Sequence, residues 1–509
     1  MSFLLRVGWF RAMVALAAAA ILPGIAAAAP NEPKLNVVLI LVDDLGWTDL
    51  GCFGSDLYRT PNVDRLAREG MRFTNAYSAC TVCSPTRAAV MTGKYPARLH
   101  VTDWIAGHER PWAKLRIPDW TKYLPLEETT VAEALKPAGY FAGHVGKWHL
   151  GSRGRWPTDQ GFDVNVAGYE AGQPPSYYWP YRRGASGIPT LELTGETEGL
   201  HLSDRLALEA SRLIRAHKDR PFLLYLPTYE VHTPIEPKKD YVPAYRERLR
   251  PGLKHDNPQY AALVQGMDDL VGKVLGTLDE LGIADRTVVF FTSDNGGLSH
   301  LDGVKRGPTD NSPLRAGKGS AYEGGVRVPL IVRWPGIATP GSICPEPVLS
   351  IDYYPTILDL AGLDLTGAPG DAAPKAQVDG KSLVPLLRDP QATLAREAIY
   401  WHYPHYHPGG ATPYGAIRAR DWKLIEFYED QHVELYHLKD DVGEKTDLAA
   451  TMPEKAKDLR ARLQAWRASV GAQMPTPNPQ YDPEKDRPGG AAKPRAKAKK
   501  KPSEGRAEA

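Results

Sequence analysis

The sequence is poor in cysteine: Cys52, Cys80, Cys83 and Cys344 are the only four in 509 residues. That is too few for a disulfide framework in a chain of this length, and nothing in the spacing demands a Cys52–Cys80 bridge. Charge of one sign is also lacking, with 62 Lys and Arg against 60 Asp and Glu. The balance hides two basic ends. Residues 484–509 carry nine basic and four acidic side chains, and the first 29 residues carry Arg6, Arg11 and no acid. The body between them is weakly acidic, which gives no electrostatic case for nucleic-acid binding. Beyond the N-terminal segment no apolar run reaches the ~18 uninterrupted residues of a stable membrane span. Internal repeats are absent.

With 42% hydrophobic residues the chain can bury a substantial core, which excludes wholesale disorder. Residues 1–29 read as a cleavable export signal: a basic start, a mostly apolar stretch from Met13 to Ile25 and small residues at Ala26–Ala29. Export places the mature chain in the periplasm or outside the cell. A large domain is expected over 30–390, a small one over 391–474, and a solvated, disordered basic tail over 475–509.

Short apolar runs at Leu35–Val42, Phe141–Val145, Phe222–Leu226, Val288–Thr292 and Val328–Val332 read as buried parallel strands. Helical patterns lie between them, at Ser203–Lys218 and Gln259–Leu281. The alternation predicts an α/β fold, a large mixed, mostly parallel sheet sandwiched by helices. After Pro390 the short aromatic runs Ala398–Tyr403, Gly415–Arg418, Trp422–Phe427 and Glu434–Leu438, then the pattern Pro453–Ser469, predict a small antiparallel sheet with one helix.

Chemistry in parallel sheets gathers at the carboxyl ends of strands. Here those ends lead into Asp43-Asp44, Lys147-Trp148-His149, His232 and Asp294-Asn295. Asp43, Asp44, Asp294 and Asn295 offer three carboxylates and an amide oxygen, hard donors that suit Ca²⁺ or Mg²⁺ rather than zinc. Each pair alone reads equally well as a helix or turn cap. Two pairs, both after buried strands, favour a cation, because adjacent acids repel in a partly buried place. Cys83 opens Cys83-Ser84-Pro85-Thr86-Arg87, and a thiol just ahead of a helix and near an arginine is expected to have a lowered pKa.

With Cys83-Ser84-Pro85-Thr86-Arg87 stand Val42-Asp43-Asp44-Leu45-Gly46-Trp47, Gly146-Lys147-Trp148-His149-Leu150-Gly151, Val231-His232-Thr233-Pro234, Thr292-Ser293-Asp294-Asn295-Gly296 and Gly317–Pro329. Together, over roughly residues 35–450, they resemble the formylglycine-dependent type I sulfatases of the alkaline-phosphatase-like superfamily. The resemblance implies that a formylglycine-generating enzyme oxidises Cys83 to formylglycine, whose hydrate is the nucleophile. It implies one Ca²⁺ on Asp43, Asp44, Asp294, Asn295 and residue 83, although the ligand types accept Mg²⁺ too. Asp294 would activate the nucleophile and Arg87 would hold it. Lys147 and Lys318 would grip the sulfate, His232 would protonate the leaving alcohol, and His149 would accept the proton whose loss expels sulfate from residue 83.

Aromatics and histidines in Thr102-Asp103-Trp104, Tyr169–Tyr181 and Trp401–His407 suit a sugar ring, or else a structural cluster between domains. Asp103, Trp104, His402 and His405 are the candidate substrate contacts, and likeness to bacterial polysaccharide sulfatases implies a sulfated carbohydrate. Two alternatives stay open in the sequence: a phosphoesterase of the same superfamily, and an unmodified Ca²⁺-dependent glycan-binding relative.

Overall fold

The computed structural model describes residues 34–301, 305–363 and 377–486. The export signal of 1–29 and the basic run after 486 lie outside the described residues.

Eight strands form the main sheet: β1 (Asn36–Val42), β2 (Met71–Phe73), β3 (Phe141–Val145), β4 (Val164–Val166), β5 (Phe222–Pro227), β6 (Thr287–Ser293), β7 (Leu330–Arg333) and β8 (Ile343–Cys344). Their order is β8-β2-β7-β6-β1-β5-β3-β4. β1 is parallel to both neighbours, pairing Val37 with Leu223 and with Val288. Every residue of β1 is buried, which is why it reads as an unbroken apolar run. Val38, Ile40 and Val42 enter one core while Val37, Leu39 and Leu41 enter the other.

Helices cover both faces. α1 (Pro61–Glu69), α3 (Leu202–His217) and α4 (Pro258–Glu280) pack on the first core; α2 (Cys83–Thr92) and α5 (Tyr353–Leu360) pack on the second. Asn257 caps α4 by accepting from the amides of Gln259 and Tyr260. α3 starts one residue earlier than its pattern suggests, with the His201 ring accepting from the Ser203 amide.

One expected direction is corrected. β7 runs antiparallel to both β6 and β2. Burial on both faces gives the same apolar run whichever way a strand points, so hydrophobicity could not distinguish the two.

The small sheet comprises β9 (Ile399–Tyr403), β10 (Tyr414–Ala419), β11 (Trp422–Phe427) and β12 (Val433–His437), antiparallel in that order. α6 (Pro453–Ser469) covers it with Leu459 and Leu463. The same core takes in Tyr77, Val82 and Ala89, so the small sheet packs directly beside α2. The expected tail starts too early. Residues 476–477 pair with 115–116, and the Asn478 amide donates to the carbonyls of Pro111 and Ala113. All four cysteines are free, and no helix among the described residues is long and apolar enough to cross a membrane.

Candidate active site

Four adjacent strands of the main sheet deliver polar residues to one place. Asp43 and Asp44 follow β1, and Asp294 and Asn295 follow β6. The register holds them together: the Asp294 amide donates to Val42 O at 3.1 Å and the Asp44 amide to Asp294 Oδ1 at 3.1 Å. Lys147 follows β3, its amide bound to Pro227 O at 2.7 Å. Gly146 before it has φ 122°, and a Cβ there would lie 1.9 Å from that same oxygen, so only glycine lets the lysine turn in. His232 lies just beyond β5, on a segment tied to β1 by the bond from the Val231 amide to Asp43 O.

The charges interlock. Lys147 Nζ lies 2.7 Å from Asp43 Oδ2, and Lys318 Nζ lies 2.6 Å from Asp44 Oδ1 and 3.3 Å from Cys83 Sγ. Arg87 donates twice to Asp294 Oδ2, at 3.0 and 2.8 Å, and once to Lys147 O. Ligand atoms of Asp43, Asp44, Cys83 and His232 all lie within 4.8 Å of one another. Asp43 Oδ1, Asp44 Oδ2 and Asn295 Oδ1 are buried there with no hydrogen-bond partner. Orphaned oxygens are costly to bury, and a hard divalent cation would satisfy all three at once. The donor set fits Ca²⁺ or Mg²⁺.

Burial dominates the proton affinities. It pushes the Asp43 carboxyl up to about 8 despite Lys147 beside it. It would raise Asp44 too, but Lys318, His232 and Lys147 hold that group below the usual carboxylate range. The Cys83 thiol is pushed up to about 11, the reverse of the sequence expectation. Cys83 is 2% exposed, and the desolvation outweighs the pull of Lys147 and Lys318. Arg87, taken from the sequence as the thiol's activating neighbour, points its guanidinium at Asp294 instead. Burial also pushes His232 down to about 3 and His149 well below the ordinary imidazole range.

His149 sits in left-handed backbone (φ 58°), its Nε2 bonded to Ile105 O and its Nδ1 buried without a partner. Ser84, the second residue of the cysteine motif, fixes this arrangement. Ser84 Oγ donates to His149 O at 2.9 Å and accepts from the Ile105 amide at 3.1 Å.

The four candidate substrate contacts fare differently. Trp104 is half-buried beside Ile105. The other three are turned inward and form the structural cluster between the sheets. His402 uses both ring nitrogens, on Tyr428 Oη and Gln473 O. His405 Nε2 bonds Thr102 Oγ1, and Asp103 Oδ1 accepts from Tyr403 and from the Trp104 amide. Asp103, His402 and His405 are all buried, with Asp103 Oδ2 and His405 Nδ1 left without a hydrogen-bond partner. The alternation of the sequence gave no sign of which ring in Trp401–His407 faces the site.

The comparisons agree with this geometry. Residues 35–363 match the family described as Sulfatase, and residues 317–469 match N-sulphoglucosamine sulphohydrolase, C-terminal. A sulfatase of Formosa agariphila is 34% identical over 85% of this chain and 88% of its own. Human N-acetylgalactosamine-6-sulfatase is 35% identical over 80% of this chain and 74% of its own. The crystal structure of Ps i-CgsB in complex with k-i-k-neocarrahexaose superposes with TM-score 0.70 at 28% identity, covering 88% of this chain and 94% of that one. The family match over residues 35–363 and the relatives of 34–35% identity together establish that the chain belongs to the sulfatase family and is a sulfatase enzyme.

Proposed function

We propose that the protein is exported and hydrolyses sulfate monoesters of a sulfated carbohydrate, with Cys83 converted to formylglycine by a maturation enzyme. One observation carries this reading: ligand atoms of Asp43, Asp44 and residue 83 lie within 4.8 Å of one another, with unpaired oxygens on Asp43, Asp44 and the adjoining Asn295, flanked by Lys147 and Lys318. Asp43, Asp44, Asp294 and Asn295 would hold a Ca²⁺ or Mg²⁺, which would supply Lewis-acid chemistry to the sulfate.

The chain's own groups do the rest. Lys147 and Lys318 add fixed positive charge where the sulfate oxygens gather charge, inside a desolvated pocket. Arg87 orients Asp294, which increases the nucleophilicity of the formylglycine hydrate at 83. His232 Nδ1–H donates to Thr233 O at 2.8 Å, which aims Nε2 into the site, 3.6 Å from Asp44 Oδ2. A bound sulfate ester brings the negative charge that favours a proton on Nε2, and that proton goes to the leaving alcohol oxygen. His149 donates Nε2–H to Ile105 O, so its orphaned Nδ1 carries the lone pair. That lone pair takes the proton of the hydrate's second hydroxyl as sulfate departs.

The relatives named for N-acetylgalactosamine 6-sulfate and bound to a carrageenan oligosaccharide support a sugar substrate. The test is mass spectrometry of the peptide around Cys83, from protein made in its own host, with assays on 4-nitrophenyl sulfate, 4-nitrophenyl phosphate and sulfated galactose-type sugars. Formylglycine with sulfate release is expected. Full activity from an unmodified thiol, or preference for the phosphate ester, overturns the reading.

A further inference from the structure

We infer that His407 is a specificity-determining residue, donating Nε2–H to a hydroxyl of the sugar that carries the sulfate. This rests on the carbohydrate reading above. His407 lies just after β9, in a turn closed by its amide on Ala411 O and by the Gly410 amide on His407 O, both 2.9 Å. Its ring packs against the backbone that carries Lys318. Gly319 has φ 90°, and a Cβ there would lie 2.1 Å from His407 Nδ1. Glycine at 319 is therefore what lets an imidazole stand beside the sulfate-gripping lysine.

The tautomer follows from one bond. Nδ1 accepts the Gly409 amide at 3.0 Å, so in the neutral ring the proton is on Nε2. Nε2 has no protein partner among the described residues, although the residue is only 7% exposed. His407 and Lys318 line a cavity of about 280 Å³, close to the lower bound of ligand sites, about 300 Å³. Three other polar groups lining the cavity are already engaged: Ser320 Oγ donates to Gly317 O, Ser299 Oγ pairs with His300 Nδ1, and Tyr322 Oη donates to Glu434, whereas Tyr414 Oη is buried without a partner. Burial and the Lys318 charge hold the ring's proton affinity below the ordinary imidazole range, against the pull of Asp44. A neutral donor complements a hydroxyl oxygen, while the anionic sulfate already has the lysines.

The test uses full-length converted enzyme and whichever of galactose 4-sulfate, galactose 6-sulfate and N-acetylgalactosamine 6-sulfate it cleaves fastest, with single-deoxy analogues of that sugar. His407→Ala is expected to lower kcat/KM about 10–100-fold, and wild type to lose a similar factor on one deoxy analogue. On that analogue wild type and variant should converge, and His407→Gln, which can replace Nε2–H with an amide, should recover part of the loss. Equal loss on parent and every analogue overturns the inference, since a structural role would act that way. No loss on the parent overturns it too. A wild type that cleaves 4-nitrophenyl sulfate but none of the three sugars overturns the carbohydrate reading, and this inference with it.

Discussion

Asp43, Lys147, His232 and Asp294 hang from the ends of four adjacent strands, whereas Lys318 and His407 reach the same place from loops. The strand-borne groups inherit their spacing from a ladder whose neighbours are roughly 4.8 Å apart. The loop-borne groups have no such rail. The segment carrying Lys318 is held from behind by a buried ionic network: Lys423 Nζ lies 2.8 Å from Glu323 and 2.9 Å from Glu444, and Arg327 donates to Glu323 at 2.7 Å. Lys423 is on β11, so the small sheet anchors half of the active site. One half is positioned by hydrogen-bonded register, the other by long-range charge pairing, and the two should fail differently.

The largest expected effect is on the strand half. Asp294→Asn keeps the shape but removes the charge facing Arg87 and the Asp44 amide; 4-nitrophenyl sulfate turnover should fall at least about 10³-fold, and the buried Arg87 left without its carboxylate should cost about 3–5 kcal/mol in urea unfolding. Next, Lys423→Met leaves Glu323 and Glu444 buried without their cation and should cost about 3–5 kcal/mol in urea unfolding. Activity should fall with it, because Lys318 loses its support. If stability drops while kinetics stay unchanged, the small sheet does not position the loop half.

A third measurement returns to the strand half. Ca²⁺ at 100 times its Kd should stabilise the fold by about 2.7 kcal/mol, and Asp43→Ala should abolish the shift. A fourth measurement concerns Asp103, between the halves. Burial pushes its carboxyl up to about 7 from an ordinary 3.8. Below 3.8 folded and unfolded chains both hold the proton and its stability contribution is complete; that contribution is lost as pH rises through 7. Asp103→Asn should therefore flatten the fall in urea midpoint between about pH 4 and 7. An unchanged slope would place the titration elsewhere.

The same division explains what could be read from the sequence. β1, β3, β5 and β6 announced themselves as apolar runs, and polar residues just past them mark a site because strand ends converge. α6 and β11 matched their patterns residue for residue. The direction of β7 was hidden because burial, not direction, sets its composition. The inward turn of Asp103, His402 and His405, and the seat of the His407 ring against Gly319, depend on contacts between residues 26 to 303 positions apart. Such pairings leave no local period. Cys83 was legible as special, but composition left an activated thiol and an inert buried one both open, since its cover comes from elements far along the chain.

Ser84 has a mechanical consequence. One hydroxyl holds the carbonyl of His149 and the amide of Ile105 from the first turn of the helix that carries residue 83. Residue 83 and His149 are thereby geared together: a small rotation of that helix end carries both, so their separation varies less than the position of either. The serine acts as a linkage that removes a degree of freedom between two parts, and threonine or alanine there would return the play in different amounts.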